Sequence, residues 1–382
     1  TEKVPISNAL NRILSEDIVA RRNNPPMDNS AMDGYALIAN DIQSATPETP
    51  VTLDIIEDLA AGYSPERVVK PGQAVRIMTG APIPEGADAV IMQEDTERDG
   101  NRVQVKDKAE IRENIRDAGE DVREGETVIK KGADLLPAHI GMMAVVGRSS
   151  VLVGRRPSVA ILSTGDEIMD LDDPLSGPCI YNSNGYMLAA QIKSAGGIPS
   201  YLGIARDNEE DLMEKFKWAL QCDMVVSSGG VSVGDYDLVK ATLKKMGQEM
   251  LFWKVAMKPG KPLAFGRIDN VPIFGLPGNP VSSFVSFEQF VRPSIRKMMG
   301  ATQLNHRSVQ AKLTRTVHKK AGRQHFLSAY VQWENGECTV NPTQEQGSGI
   351  LKSTVNANGL LIFPLELTEM TEGTEVTVQL LE

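Results

Sequence analysis

From Pro157 to Gly300 short β-branched runs alternate with amphipathic stretches, and glycine or small polar residues separate them. That pattern predicts a βαβ array. Ser158 to Ser163 (SVAILS) is apolar without alternation and runs into Thr164-Gly165-Asp166-Glu167, so it predicts a strand buried on both faces. Further strands are expected over Ile198 to Ile204, Asp223 to Ser228, Leu251 to Met257 and Pro272 to Leu276. Helices are expected over Asn182 to Ser194, Asn208 to Gln221, Asp237 to Met246 and Val281 to Met299; the second carries its acids in the first turn, where the helix dipole favours them. The pattern predicts a parallel three-layer sheet of about five strands.

The flanks read differently. Val51 to Ile56, Ala89 to Met92, Val103 to Val105 and Val151 to Val153 are short strands among Gly and Pro turns, with Asn40 to Thr52 as a loop. After Gly300, five strands are expected over Ser308 to Leu313, Gln324 to Trp333, Thr339 to Asn341, Gly359 to Pro364 and Glu375 to Leu380, forming a small antiparallel sandwich or barrel.

Composition narrows the function. With 40 Lys plus Arg against 50 Asp plus Glu, the net charge of -10 argues against bulk attraction to nucleic acid or an anionic membrane. An anionic ligand then needs a local basic site. Three scattered cysteines without a CxxC pair predict free, buried thiols in a reducing compartment, and four histidines show no zinc spacing. No apolar run is long enough to span a bilayer, and Thr-Glu-Lys-Val-Pro at the start does not read as a signal peptide. The expected location is cytoplasmic.

Ligands of doubly wound sheets sit outside the carboxyl ends of the strands, where this chain concentrates glycine. Thr164-Gly165, Ser227-Ser228-Gly229-Gly230-Val231-Ser232-Val233-Gly234 and Leu276-Pro277-Gly278-Asn279-Pro280 each follow an apolar strand. One such loop is ordinarily a tight turn; three on one edge favour a bound anion cradled by main-chain amides. The fourth strand carries Lys254, and Lys258 and Lys261 follow it. On an extended chain Lys254 and Lys258 share a face about 13 Å apart, suited to two ends of an elongated anion, while Lys261 shares a group with Lys258. Glu167, Asp207, Asp235 and Asp237 stand on the same edge, where carboxylates beside phosphate loops suggest Mg²⁺; helix capping is the plainer role for Asp235 and an even alternative for Asp207 and Asp237. Gly230 to Gly234 also matches the G-x-S-x-G elbow of serine hydrolases, with Ser232 as nucleophile, but the intervening Ser-Ser-Gly-Gly places that serine past the strand end.

Strings throughout the chain resemble the MoeA family of molybdopterin molybdenumtransferases, related to the E domain of gephyrin. They are Asn29-Ser30-Ala31-Met32-Asp33-Gly34-Tyr35-Ala36, Arg76-Ile77-Met78-Thr79-Gly80-Ala81-Pro82, Pro84 to Asp88, Gly119-Glu120-Asp121, Ser163 to Glu167, the Ser227 to Gly234 loop, Lys258-Pro259-Gly260-Lys261-Pro262 and Gly275 to Pro280. The resemblance implies a multidomain α/β protein: an elongated subdomain (1–26 and 122–156), an inserted β-rich subdomain (27–121), an α/β molybdopterin-binding domain (157–303) and a C-terminal β barrel (304–382). The family's first helix would survive only around Ala9 to Ile18.

It also implies Mg²⁺-dependent insertion of molybdate into adenylylated molybdopterin with loss of AMP, in a homodimer whose site lies between subunits. A partner that makes adenylylated molybdopterin would hand it over. Asp33, Thr79 and Asp121 would face the α/β domain of the second subunit. Glu167, Asp207 and Asp237 would position metal or substrate, Lys254 the pterin or phosphate, and Lys258, Lys261 and Ser348 the molybdate. The loops carrying Thr164, Gly165, Ser228, Gly229, Gly230, Ser232, Pro277, Gly278, Asn279 and Pro280 would bind substrate. One departure stands out: where relatives carry G-R-x-x-F-x-R, this chain ends Gly322-Arg323-Gln324-His325-Phe326-Leu327-Ser328 in serine. Arg323 or His325 then takes the arginine's place, or the anion is bound more weakly or is a different one. Two other classes are a gephyrin-like scaffold that binds a partner peptide, and the serine hydrolase, whose turnover would need Ser232 and ignore Lys258.

Overall fold

Val159 and Ile161 face one side of the central sheet and Ala160 and Leu162 the other, each inside an apolar cluster, which is why their strand lacks polar positions. The structure is a computed structural model that describes residues 1–229 and 238–381. Helix Ser183–Ser194 and the segment from Pro280 to Met298 cover the first side through Leu188, Ile192, Phe287, Val291 and Ile295. Helices Glu209–Ala219 and Leu238–Lys245 cover the second through Leu212, Phe216, Val239 and Leu243. Three layers result, as expected.

The sheet itself departs from expectation. It has six strands in the order 198–205, 158–164, 224–228, 271–276, 264–268, 249–253. Five run in one direction, and only Ala264–Ile268 is reversed, antiparallel to both neighbours. This strand escaped the sequence reading because it forms a hairpin with Val271–Leu276 through Asp269, whose φ of 50° needs no glycine. The fourth expected strand also ends early. It stops at Trp253, and Lys254 turns to φ 77°, so Lys254 and Lys258 do not share an extended face. The long final helix carries a π turn, Phe287–Val291, just before Arg292-Pro293, where the Pro ring displaces the helical bonding.

Before this domain, strands 89–92, 34–37, 73–77, 51–59, 102–105 and 96–99 form a second six-stranded sheet around Tyr35, Leu37, Leu53, Ile91 and Val103. Gly34 permits its tight pairing, since a Cβ there would lie 1.9 Å from Ile91 O. Strand Glu2–Pro5 pairs with Ser150–Val153, and Ile18–Val19 with Thr127–Ile129, so the two ends of the N-terminal half meet over a core of Leu14, Ile18, Leu135 and Met143. Ala9 to Ile18 is not helical; Ile13 and Leu14 bridge to Asp134 and Val153. At the C-terminus, strand Gln324–Glu334 pairs with both Glu337–Pro342 and Gly359–Phe363, closing a five-strand barrel. Strands 308–313 and 337–342 are parallel, so the barrel is not purely antiparallel. The three cysteines are free but half-buried rather than buried. No described helix is long and apolar enough to cross a membrane.

Candidate functional site

Three loops at the carboxyl edge of the parallel strands close on one another. Gly229 has φ +92°, and a Cβ on it would lie 2.6 Å from Thr164 O; a Cβ on Gly278 would lie 3.8 Å from Gly229 Cα. The bare backbone of Gly229 is what lets its turn close on Thr164, while Gly278 approaches it at ordinary contact distance. A cleft of about 680 Å³ opens over them. Thr164, Gly165, Glu167, Asp207, Ser228, Gly229, Pro277, Gly278, Asn279 and Pro280 all line it. Gly230, Ser232, Asp235 and Asp237 lie outside the described residues.

The amides are not all available for an anion. Gly165 N donates to Ala205 O (3.4 Å), Gly229 N to Leu276 O (3.1 Å) and Val281 N to Ser348 O (3.0 Å). Gly165 and Gly229 therefore shape the floor rather than cradle a phosphate. The amides of Gly278 and Asn279 find no acceptor among the described residues, and they head the helix that begins at Pro280.

Two asparagines that the sequence reading left as helix-start residues build the wall. Asn184 Nδ2 donates to Ser228 Oγ (2.8 Å) and Gly278 O (2.7 Å), pinning two of the loops together. Asn182 Oδ1 caps its helix at Gly185 N (3.0 Å) and accepts from Ser163 Oγ (2.9 Å), while its Nδ2 donates to Tyr201 OH (2.7 Å). The Tyr181-Asn182-Ser183-Asn184 cluster was visible, but a cap alone accounts for one Asn there, not two.

Capping does not explain Asp207. Asn208 caps helix Glu209–Ala219 by accepting from Asp211 N (2.9 Å), whereas Asp207 N donates to Asp166 Oδ1 (3.2 Å). Partial withdrawal from water, then the charges of Asp166 and Glu167, raise the Asp207 carboxyl above its ordinary range. Ionising it therefore costs the folded chain stability: the penalty is absent below the ordinary carboxylate pKa and fully present above the raised one. Asp207→Asn is expected to raise the melting temperature at pH 7 in the absence of metal by about 1 °C, because water screens an exposed carboxylate, and to leave it unchanged near pH 3. Thermal unfolding at both pH values checks this.

The uncompensated acids fit a cation. No three-ligand cage of His, Cys, Asp or Glu exists among the described residues; Glu167 and Asp207 would hold Mg²⁺ as one or two carboxylates, with substrate oxygens and water completing its shell.

The lysines separate. Met257–Lys258 pairs with Gln324–His325 as an added strand on the barrel, which carries Lys258 out of the cleft and into a second cavity of about 340 Å³. Lys258, Arg315, Lys319, Lys320 and Arg323 line this cavity, with no Asp or Glu. The two cavities stand back to back. Pro280 and Gly349 line the cleft while Val281 and Gln346 line the basic pocket, and Ser348 lies between them, accepting from Asn279 Nδ2 (3.2 Å). Lys254 and Lys261 are exposed and line neither.

In the N-terminal half, Thr79 donates to Asp33 Oδ1 through both N and Oγ1, each at 2.7 Å. The Thr79 amide first, then its hydroxyl, hold the Asp33 carboxyl below its ordinary range. Asp121 Oδ2 accepts from Asn24 Nδ2 (2.8 Å). None of Asp33, Thr79 and Asp121 lines this chain's own cleft.

Three family descriptions match in order: MoeA N-terminal region (domain I and II) over 1–147, probable molybdopterin binding domain over 160–297, and MoeA C-terminal region (domain IV) over 310–381. A protein named molybdopterin molybdenumtransferase from Haemophilus influenzae is 39% identical over 99% of this chain and 93% of its own length. One of the same name from Bacillus subtilis is 37% identical over 95% and 86%. The crystal structure of molybdopterin biosynthesis moeA protein from Pyrococcus horikoshii OT3 superposes with a TM-score of 0.84 at 34% identity, covering 99% of this chain and 94% of that one. The segment Gly230 to Gly234 falls inside the region matched as a probable molybdopterin binding domain, and none of the three matched descriptions is that of a serine hydrolase.

Proposed function

This chain belongs to the MoeA family of molybdopterin molybdenumtransferases, enzymes of molybdenum cofactor biosynthesis, and from that premise we propose that it inserts molybdate into adenylylated molybdopterin, releasing AMP, with Mg²⁺ as cofactor. One observation carries the reading: a polar, glycine-floored cleft shares a wall with a basic pocket. The elongated substrate occupies the first, and its dithiolene reaches the oxyanion held in the second.

In this assignment Gly278 and Asn279 donate amides to substrate phosphate, and Asn184 keeps the loops in register. Glu167 and Asp207, with Asp237, hold Mg²⁺, whose charge offsets that of the phosphates. Lys258 holds the oxyanion by a charge-assisted hydrogen bond, with Ser348 at the partition. Lys254 and Lys261 contribute from the exposed turn that leads to Lys258. Asp33, Thr79 and Asp121 complete the site of the second subunit of a homodimer. The domain limits at 26, 121, 156 and 303 and a cytoplasmic location belong to the same reading, as does delivery by a partner that adenylylates molybdopterin.

The test is a reconstituted assay. Purified protein, adenylylated molybdopterin, molybdate and Mg²⁺ are expected to yield AMP and molybdenum cofactor in equal amounts. Chelation of Mg²⁺ is expected to stop both, and excess Mg²⁺ to restore them. Absence of AMP release from folded protein under these conditions would defeat the proposal.

A further inference from the structure

Arg315 lies outside every motif in the sequence, in the bend after strand Ser308–Leu313, yet it lines the basic pocket with Lys258. Its Nη2 donates to Pro342 O (2.7 Å) and Thr343 O (2.8 Å), and its Nε is buried without a partner. Both acceptors are neutral carbonyls, so they fix the plane of the guanidinium and leave its charge uncompensated. A planar cation held this way loses little freedom when it binds an oxyanion.

The same bonds place Arg315 beside residue 328. Thr343 N donates to Ser328 O (2.9 Å), and Gln346 Nε2 reaches both Ser328 O and Thr343 O at 2.9 Å. Arg315 thus grips the loop that sits on Ser328. Ser328 itself is 1% exposed and lies on the strand face of Phe326, which packs against Val281 and Val285, while Leu327 and Ala329 point into the barrel core.

The other cations are less suited. His325 is 7% exposed; burial, then Lys258, Lys319 and Arg323, push its ring down to about 4, so it is neutral at pH 7 and brings no charge. Lys319 has one side-chain nitrogen, and two of its three donors go to Arg323 O (3.0 Å) and Leu365 O (3.1 Å) over the Phe363 ring, whereas Arg315 keeps Nη1 free of any such bond among the described residues. Lys320 is exposed. No main-chain anchor fixes the Arg323 side chain among the described residues.

We propose that Arg315 supplies the guanidinium that holds the tetrahedral oxyanion together with Lys258 in the basic pocket that both line, in a chain where residue 328 is serine and brings no charge. The identity of the oxyanion rests on the molybdenumtransferase reading; the clamp does not. Molybdate binding to the full chain is measured by isothermal titration, with sulfate as competitor, alongside thermal unfolding. Arg315→Gln is expected to weaken molybdate binding about 10- to 100-fold, the worth of a charge-assisted hydrogen bond. Arg315→Lys is expected to fall between, because it keeps the charge and loses the planar group that the Pro342 and Thr343 carbonyls hold in place. Ser328→Arg added to Arg315→Gln is expected to regain most of the affinity, which a residue that merely ties the 342–346 loop would not permit. Unchanged affinity in folded Arg315→Gln protein, or no recovery in the double variant, overturns the proposal. Wild-type protein that releases AMP but binds molybdate independently of Arg315 keeps the function and loses the clamp. Protein that binds molybdate through Arg315 but makes no cofactor keeps the clamp and loses the function.

Discussion

Lys258→Ala is expected to lower kcat/KM for molybdate in the reconstituted assay by about 10²-fold, the usual effect of deleting one charged donor from an active site. The loss should appear mainly as a raised KM, because Lys258 lies in the basic pocket and not over the glycine loops. Its side chain is exposed, so the melting temperature should hold. Mixing this variant with Asp33→Ala tests the shared site as well. At molybdate far below KM each alone is expected to be nearly inactive, whereas a heterodimer keeps one intact site, formed by the unmodified N-terminal half of one subunit and the unmodified α/β domain of the other. Subunit exchange followed by the AMP assay reads this directly, and failure to complement excludes a site built from both chains.

Gly229→Ala is expected to be the most damaging single change in the cleft. The added methyl would meet Thr164 O at 2.6 Å, a backbone atom that cannot swing away, and φ is +92°. Positive φ costs a non-glycine residue about 1–2 kcal/mol, and forced overpacking a further 1–3 kcal/mol. A destabilisation of about 2–5 kcal/mol follows, measurable by urea unfolding, together with loss of nucleotide-end binding as the three loops separate. Gly278→Ala is the internal comparison: its Cβ would meet only Gly229 Cα at 3.8 Å, so the stability loss should be much smaller.

The sheet and the cleft were legible because their signals are local. Uninterrupted apolar runs such as Ser158 to Ser163 announced buried strands, and glycine after each announced the edge on which the cleft opens. The antiparallel strand Ala264–Ile268 was missed because its hairpin turns at Asp269 and because Lys-Pro-Gly-Lys-Pro before it reads only as a loop. The split of the lysines was equally out of reach: Lys258 leaves its neighbours because Met257–Lys258 pairs with Gln324–His325, a contact between segments 67 residues apart by the registered pair Lys258 and His325. Arg315 carried no signal at all. A lone arginine in a loop acquires meaning only when the 342–346 turn folds against it.

That two-residue strand has one more consequence. It is the point where the central core lends a piece of itself to the barrel, and the piece it lends bears the lysine that lines the same pocket as Arg315. Undocking the barrel would therefore take the basic pocket apart at the same moment. Any anion held there would be linked thermodynamically to the cohesion of the two domains, each reporting on the other.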